Sequence, residues 1–226
     1  MIPVAREQYQ ASLDELRAAV VALGEMAIDQ LEDGLRALET GDADLARKVV
    51  DGDAAVNDQY LAVENECIEL LALQQPVASD LRFVAASFKI CTDLERVGDL
   101  ATNLGEYALA ADGDAGERDV QAIGEDARDQ LRAALDAYQR GDAAACRTVA
   151  ARDDDLDALC QRASEQVVRD LLEREAGADA WASERVLDDV SRVLLTLRDL
   201  ERVGDHAVNV AARTLYMLEN DSELLY

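Results

Sequence analysis

The chain of 226 residues is poor in proline, in aromatic residues and in basic residues. It contains two prolines, 4% aromatic residues and a single histidine. Such scarcity, beside abundant alanine, leucine, glutamate and arginine, is typical of a helical protein and argues against a sheet protein. Half of the residues are apolar, which is enough to form a sizeable buried core.

The charge is strongly one-sided. There are 48 acidic and 22 basic residues, for a formal net charge of -26, and only two of the basic residues are lysines. Self-repulsion on this scale opposes a compact fold in dilute buffer, and it is largely screened at about 1 M salt. We therefore expect a halophilic protein adapted to a salt-rich cytoplasm. No basic cluster is visible, which argues against direct nucleic-acid binding.

Long apolar runs and paired cysteines are also missing. The N-terminus lacks the apolar centre of a signal peptide, and no apolar run approaches the roughly 18 residues of a membrane span. We therefore expect a cytoplasmic protein without membrane insertion. The four cysteines show no CxxC spacing and lie inside helical patterns, which predicts buried free thiols at Cys67, Cys91, Cys146 and Cys160.

One charged segment of eleven residues, which we call the phrase, occurs twice. Residues 93–103 read DLERVGDLATN and residues 199–209 read DLERVGDHAVN, identical at nine of eleven positions. A Gly-Asp pair also recurs, at 41–42 and at 141–142, where the glycine can end one helix and the aspartate can cap the next. The chain is therefore an internal repeat of two halves.

The pattern of breaks predicts three helices in each half. Pro76 opens the third helix, and residues 111–119 form the linker between the halves. The predicted domains are residues 1–112 and 118–226. The expected fold class is all-α, with two tandem antiparallel three-helix bundles. The predicted helices cover residues 5–40, 42–74, 76–111, 119–140, 142–175 and 180–219.

The third helix of each half carries two apolar stripes. The first should face its own bundle and consists of Phe83, Ser87, Ile90, Leu94, Val97, Ala101 and Leu104. The second runs through Leu81, Val84, Phe88 and Cys91, and its counterpart through Leu187, Val190, Leu194 and Leu197. Each second stripe leads to a glutamate and then a glycine, Glu95 with Gly98 and Glu201 with Gly204. A glycine inside a helix costs about 1 kcal/mol of stability relative to alanine. We therefore expect these glycines to have a packing role, in which the missing side chain lets another backbone approach closely.

Paired carboxylates on this helix face predict a metal site in each half. Glu95 and Asp99 are four residues apart, as are Glu201 and Asp205, so each pair shares one helix face and repels. A bound cation would relieve that repulsion, and carboxylate oxygens suit magnesium, manganese, iron or calcium, with zinc not distinguishable from them. Further ligands could come from Asn103 and Asn209 on the same face, or from Asp53, Asp58 and Glu64 in the second helix.

Two interpretations without a metal stay open. Arg96 and Arg202 lie three residues before Asp99 and Asp205, so each aspartate could instead pair with its arginine. The phrase could also serve as a buried polar contact or a surface for a partner. His206 replaces Leu100 of the first copy, which favours an exposed or packing role over an essential one.

No enzyme motif is present. The chain has no glycine-rich phosphate loop, no nucleophile elbow and no Cys–His arrangement, so we expect a protein that is not an enzyme. A carboxylate-bridged di-iron enzyme would need Glu-x-x-His pairs, and the residue three before His206 is Val203. A helical metal-binding or scaffold protein unrelated to transport is the alternative function.

Three features resemble the PhoU family of phosphate-uptake regulators: the doubled helical half, residues 75–103, QPVASDLRFVAASFKICTDLERVGDLATN, and residues 199–209, DLERVGDHAVN. The resemblance covers nearly the whole chain. It implies two tandem three-helix bundles, a homodimer and metal ions held by one acidic motif per repeat. Carried over, those motifs fall on Glu95 and Asp99, and on Glu201 and Asp205.

The resemblance also implies a role. PhoU proteins are non-enzymatic cytoplasmic regulators that restrain the high-affinity phosphate ABC transporter by contact. The implied partners are the transporter ATPase and a phosphate-sensing histidine kinase. One departure concerns residues 76–82, PVASDLR, which have no counterpart in the second half. Any contact made by that stretch would be confined to the first half.

Overall fold

The computed structural model describes residues 2–73, 78–111, 118–175 and 180–225. These residues form helices and no strands, which confirms the predicted all-α class with two tandem antiparallel three-helix bundles. The first bundle contains α1 to α3 and the second contains α4 to α7. The helices are α1 (Ile2–Thr40), α2 (Ala43–Leu73), α3 (Ala78–Ala110), α4 (Arg118–Arg140), α5 (Ala143–Ala151), α6 (Asp153–Glu175) and α7 (Ala180–Glu219).

Both predicted Gly-Asp turns are present. Gly41 and Gly141 adopt positive φ angles of 66° and 65°, the left-handed conformation in which glycine commonly ends a helix. The Asp42 carboxylate accepts 3.0 Å hydrogen bonds from the backbone N–H groups of Asp44 and Leu45 at the start of α2. The Asp142 carboxylate accepts 3.0 Å hydrogen bonds from those of Ala144 and Ala145 at the start of α5. The repeat is therefore a structural one, with its turns in corresponding places.

The helix expected over 142–175 is instead two helices, α5 and α6. The chain turns at Arg152, whose carbonyl accepts a short-range hydrogen bond of 3.2 Å from the Asp155 backbone N–H. Aspartates 153–155 then fill the first turn of α6, where negative charge interacts favourably with the helix dipole. The first half has no such run of aspartates, and α2 continues without a break.

Two predicted features lie outside the described residues. The proposed helix start at Pro76 falls within residues 74–77, and most of the predicted linker falls within residues 112–117. No helix in the described part of the chain has the length and apolar character needed to cross a membrane.

The two bundles share one continuous hydrophobic core. Helix α1 packs against α4, and α3 packs against α7. At the α1–α4 contact, Gly24 lies against Leu135 while Gly124 lies against Leu35, so the same contact is made twice with the halves exchanged. A side chain at either glycine would collide with the facing leucine. The halves are therefore in direct helix-to-helix contact.

The predicted inner stripe of α3 is confirmed, since all seven of its residues are buried. The second stripe is confirmed only in part, because Leu81 and Leu187 at its outer ends are exposed. All four cysteines are buried and free, as predicted.

Candidate functional site

The two copies of the repeated phrase face each other across the α3–α7 contact. The Asn103 amide, at the end of the first copy, donates a 3.0 Å hydrogen bond to Asp199, which begins the second copy. Reciprocally, the Asn209 amide donates a 3.4 Å hydrogen bond to Asp93, which begins the first. We call these two bonds the Asp–Asn clasp. Both aspartates are almost fully buried, so the clasp joins the halves from the inside.

Different side chains complete the two ends of the clasp. At Asp93, His206 Nδ1 lies 3.0 Å from the carboxylate, and Arg213 forms an ion pair with it. At Asp199, the Tyr107 hydroxyl donates a 2.9 Å hydrogen bond, while Arg198 lies 2.9 Å away. The arginine at the Asp93 end is therefore more buried than the arginine at the Asp199 end, since the side chain of Arg213 is 24% exposed and that of Arg198 is 56% exposed.

His206 is buried, so its predicted packing role is correct and an exposed position is not. Burial, and then the charges of Arg96 and Arg202, lower the pKa of His206 to about 4. The imidazole is therefore neutral at pH 7 and can donate its Nδ1 hydrogen to Asp93.

The two signature glycines admit apolar side chains of a neighbouring helix, whereas a closely packed backbone was predicted. A Cβ atom at Gly98 would lie 2.9 Å from Val56 Cγ1 of α2, and one at Gly204 would lie 2.5 Å from Leu156 Cδ2 of α6. Both distances are shorter than van der Waals contact. Glycine at these positions thus brings α2 and α6 close to the carboxylates that follow on α3 and α7.

The first acidic face consists of Asp53, Glu95 and Asp99. Asp53 of α2 and Asp99 of α3 line one open cavity of about 660 Å³, together with Asn103 and Arg96. Burial, and then the charge of Asp99, raise the pKa of Glu95. Burial, and then the charge of Asp53, raise the pKa of Asp99. Asp53 and Asp99 therefore repel each other across the cavity, and both repel Glu95.

Neutral donors surround Asp53 on the first acidic face. The Asn57 amide donates a 2.8 Å hydrogen bond to one carboxylate oxygen, and the Thr102 hydroxyl donates a 3.2 Å hydrogen bond to the other. Gln30 of α1 in turn donates a 3.0 Å hydrogen bond to Thr102. Of the three α2 residues predicted as further ligands, Asp53 is the one that faces the signature pair, whereas Glu64 accepts a 2.9 Å hydrogen bond from Tyr60.

The second acidic face consists of Asp153, Asp157, Glu201 and Asp205. Burial raises the pKa of Asp153, Asp157 and Glu201, and in each case neighbouring carboxylates raise it further. Asp157 repels Glu201, and Asp205 repels both Asp157 and Glu201. This face holds one more carboxylate than the first.

Few neutral donors reach the second acidic face. Gln130 donates a 3.3 Å hydrogen bond to Asp153 and a 3.2 Å hydrogen bond to the carbonyl oxygen of Val149. Val208 stands where the first copy of the phrase has Thr102, and it cannot donate. The Oδ1 atom of Asp157 is buried without a hydrogen-bond partner. A buried carboxylate oxygen in this state is poorly stabilised.

The donor chemistry of both faces suits a hard cation, because carboxylate oxygens predominate. Burial, and then neighbouring carboxylates, raise the pKa values of Glu95, Asp99 and Glu201. The side chains are not gathered into a finished site, however. Within the described residues, no three His, Cys, Asp or Glu side chains are grouped closely enough to hold one ion. Glu201 and Asp205 are exposed and can change rotamer. The two predicted carboxylates of each half share one helix face, and they do not converge on a common point.

The alternative in which the arginines of the phrase neutralise its last aspartate is not seen. In the described parts of α3 and α7, no ion pair joins Arg96 to Asp99 or Arg202 to Asp205. Arg202 instead lies 3.9 Å from Asp199. The predicted buried polar contact is present, formed by the Asp–Asn clasp.

Sequence reasoning missed four important aspartates. Asp93 and Asp199 could have been identified because each is the first residue of its copy of the phrase and the two are identical. Asp153 and Asp157 were available by adding the 100-residue offset of the Gly-Asp turns to Asp53 and Asn57. The asparagines predicted as additional ligands, Asn103 and Asn209, lie instead at the contact between the phrases, although Asn103 also lines the cavity of the first acidic face.

A model of one protein family matches both halves of the chain. The PhoU domain model matches residues 20–108 and residues 120–214. A relative from Pseudomonas putida, a phosphate-specific transport system accessory protein PhoU homolog, is 35% identical over 216 residues, which cover 94% of this chain and 81% of the relative.

Solved structures show the same architecture. The crystal structure of PhoU from Pseudomonas aeruginosa has a TM-score of 0.86 to this chain at 31% sequence identity, covering 94% of this chain and 100% of that protein. The phosphate transport system regulatory protein PhoU from Streptococcus pneumoniae has a TM-score of 0.83 at 25% identity, covering 94% and 98%. The similarity therefore extends over nearly the full length of each protein.

Proposed function

The chain belongs to the PhoU family, and from that premise we propose that it is a regulator of phosphate uptake. It would act without catalysis, as a negative regulator that contacts the ATPase of the high-affinity phosphate transporter. The observation that carries the proposal is the match of both halves to the PhoU domain. The relative from Pseudomonas putida is named as an accessory protein of phosphate-specific transport, which is consistent with this role.

The two acidic faces would hold divalent or trivalent metal ions in this role. Glu95 and Asp99 would bind through their carboxylates on the first face, with Asp53 beside them, and Glu201 and Asp205 on the second. The raised pKa values of Glu95, Asp99 and Glu201 support the proposal, because a cation would offset the burial and the carboxylate repulsion that raise them. A bound ion would supply positive charge and fix the rotamers of its ligands.

The net charge of the chain bears on the cellular environment in which the protein would act. A net charge of -26 supports a protein that acts in a salt-rich cytoplasm, where self-repulsion is screened. We further propose that it works as a homodimer. A phosphate-sensing histidine kinase would be a second partner in organisms that have one.

Co-purification from the native host at low and at high phosphate tests the regulatory proposal. We expect the transporter ATPase to accompany the protein in a phosphate-dependent manner. The control is an exposed-surface variant, Arg36→Ala, which should behave like the wild type. Absence of the ATPase at every phosphate level would overturn the proposal.

Metal content measured by mass spectrometry tests the acidic faces separately. The protein would be purified in high salt without chelator or nickel resin, beside the Glu95→Ala, Glu201→Ala double variant. We expect bound metal in the wild type and its loss in a variant that remains folded. Equal metal content in both proteins would rule out the signature carboxylates as the ligands.

A further inference from the structure

The first helix of each half differs in length by 16 residues. Helix α1 has 39 residues and α4 has 23, and both end at corresponding Gly-Asp turns. All of the difference therefore lies at the N-terminal end of α1. Residues 2–17, about 24 Å of helix, have no counterpart in α4.

In the first bundle, this extra segment covers the outer end of the α2–α3 pair. Tyr9, Leu13 and Leu16 are buried there. Arg6 forms a 2.8 Å ion pair with Asp80 of α3, and Arg17 lies over the ring of Phe83, 4.7 Å from its centroid. The segment thus packs against α3 through an apolar stripe flanked by two arginines.

The matching end of the α6–α7 pair has no such cover within the described residues. It presents an apolar groove, which we define by Val167, Leu171, Val186, Val190 and Val193. These residues line a small cavity of about 70 Å³ on the α6–α7 seam.

The groove residues of α7 correspond to α3 residues 80–87, a stretch that Arg6 and Arg17 of the α1 segment contact at Asp80 and Phe83. With the 106-residue offset of the phrase, Val190 corresponds to Val84 and Val193 to Ser87. The two α3 residues are 0% exposed, whereas both valines of α7 are only partly buried. The groove is therefore the vacant counterpart of the seat that α1 fills in the first bundle.

Two carboxylates in the groove stand where the first half has apolar residues. Asp170 corresponds to Leu70 and Asp189 to Phe83, and both aspartates line the cavity of the groove. Asp189 also pairs with Arg192 of its own helix. Over the described residues 165–172 and 186–192 the chain has four acidic and two basic residues. A segment seated here would gain from carrying positive charge.

We propose that the groove binds an amphipathic helix of a partner protein, with an apolar stripe and basic residues beside it. The shape follows from the α1 segment, which fills the equivalent place with a helix of about four turns. The charge follows from the two groove aspartates and the acidic surroundings. Apolar anchors at three- and four-residue spacing would contact the valines, and lysine or arginine would contact the aspartates.

The inference rests on the proposed regulatory function, for which it supplies a contact surface. Its test uses no transporter and no phosphate. A failure of the groove therefore leaves the family role intact, and a failure of ATPase co-purification leaves the groove intact.

Binding of two synthetic peptides to the full chain, followed by fluorescence anisotropy, tests the inference. The first peptide has the sequence of residues 2–19, and the second carries Glu7→Lys, Asp14→Lys and Glu15→Lys. We expect the basic peptide to bind at least tenfold more tightly than the unaltered one. Replacing Tyr9, Leu13 and Leu16 by alanine in the basic peptide should abolish binding.

Variants of the chain locate the peptide. Val190→Asp should weaken binding of the basic peptide at least tenfold. Asp170→Lys leaves the apolar packing untouched, so it tests the same site in a protein that stays folded, and it should also weaken binding. The matched control is Leu61→Asp, at a 50% exposed leucine of α2 away from the groove, which should leave binding unchanged. Circular dichroism verifies the fold of each variant.

Three outcomes would overturn the proposal. One is equal affinity for the basic and unaltered peptides, and another is unchanged affinity in both groove variants. The third is a homodimer that Val190→Asp converts to a monomer in sedimentation experiments, because a second copy of the chain would then occupy the groove.

Discussion

The two acidic faces contain the same signature pair, Glu-xxx-Asp, but differ in what lies opposite. On the first face, α2 contributes one carboxylate and the Asn57 amide, and the Thr102 hydroxyl adds a second donor. On the second, Asp157 replaces the amide and Val208 replaces the hydroxyl. The phrase thus fixes a pair of carboxylates in each half, while the neighbouring helix decides how strongly they repel and how tightly a cation would bind.

The two ends of the Asp–Asn clasp differ in a similar way. Asp93 is held by a buried histidine and by Arg213, the pKa of which burial lowers. Asp199 is held by Tyr107 and by the largely exposed Arg198. Without Asp93, the partly buried guanidinium of Arg213 would have no carboxylate partner. Without Asp199, the largely exposed guanidinium of Arg198 would be solvated by water.

The largest expected effect is a difference in unfolding free energy between substitutions at the two ends of the clasp. Asp93→Ala should cost about 3–5 kcal/mol of unfolding free energy, because Arg213 loses its buried partner. Asp199→Ala should cost about 2 kcal/mol, since the lost hydrogen bonds are to a charged group but Arg198 is solvated. Urea unfolding at fixed salt measures both. Asp136→Ala, at an exposed ion pair, is the control, and equal costs at the two ends would contradict the comparison.

Exchanging the neutral and acidic neighbours should exchange the cation affinities of the faces. Asp157→Asn with Val208→Thr gives the second face the surroundings of the first. We expect Mn²⁺ to bind the unaltered second face more tightly, and this double variant to lose about tenfold, equivalent to about 1.4 kcal/mol. Calorimetric titration measures the affinity. The reverse exchange, Asn57→Asp with Thr102→Val, should strengthen the first face, and no change in either protein would refute the expected ranking.

Replacing His206 by the leucine of the first copy should alter the pH dependence of stability. Since the folded pKa of His206 is about 4 and the unfolded value is about 6.5, the folded state disfavours protonation. The wild type should therefore keep its stability above pH 6.5 and lose it as the pH falls toward 4. Relative to His206→Leu, the loss should reach about 1–2 kcal/mol at pH 5. Thermal unfolding from pH 8 to 5 measures the gap between the two proteins, and a constant gap would exclude the titration.

The smallest expected effect concerns repulsion on the second face. The pKa of Glu201 is raised, so the ionised carboxylate opposes folding above the folded pKa and ceases to do so below the unfolded value of about 4.3. Without divalent cations, Glu201→Gln should raise the melting temperature at pH 7 by about 1–3 °C. The gain should vanish near pH 4 and should reverse in sign when Mn²⁺ is added to both proteins. A destabilised variant in the absence of cations would contradict this account.

The inner stripe of α3 was predictable because burial repeats every three to four residues along one helix. The break at Arg152 was not, because alanine and arginine favour helix on both sides and only the run of aspartates marks a new start. The Asp–Asn clasp could not be predicted from the periodicity of apolar residues along one helix. Asp93 is buried because of Asn209 and Arg213, more than 110 residues away, and no local pattern encodes that pairing.

The predicted metal site stays a prediction, and the structure adds further carboxylates beside it. Glu95 with Asp99 and Glu201 with Asp205 could be identified because each half repeats them. Asp53 could not be distinguished from its neighbours, since its selection depends on how Gly98 lets α2 approach α3. The extra carboxylate at Asp157 breaks the repeat, so a search for identity between the halves passes over it.

The reciprocal contacts between the halves carry a further consequence. Gly24 meets Leu135 as Gly124 meets Leu35, and the clasp repeats in the same exchanged manner. Such self-complementary pairing is what two identical half-length subunits would form about a twofold axis. The present chain thus has the internal organisation of a fused dimer. Fusion allows each former subunit to accumulate its own changes, and a shortened α4 is a change that a symmetric dimer would have had to make twice.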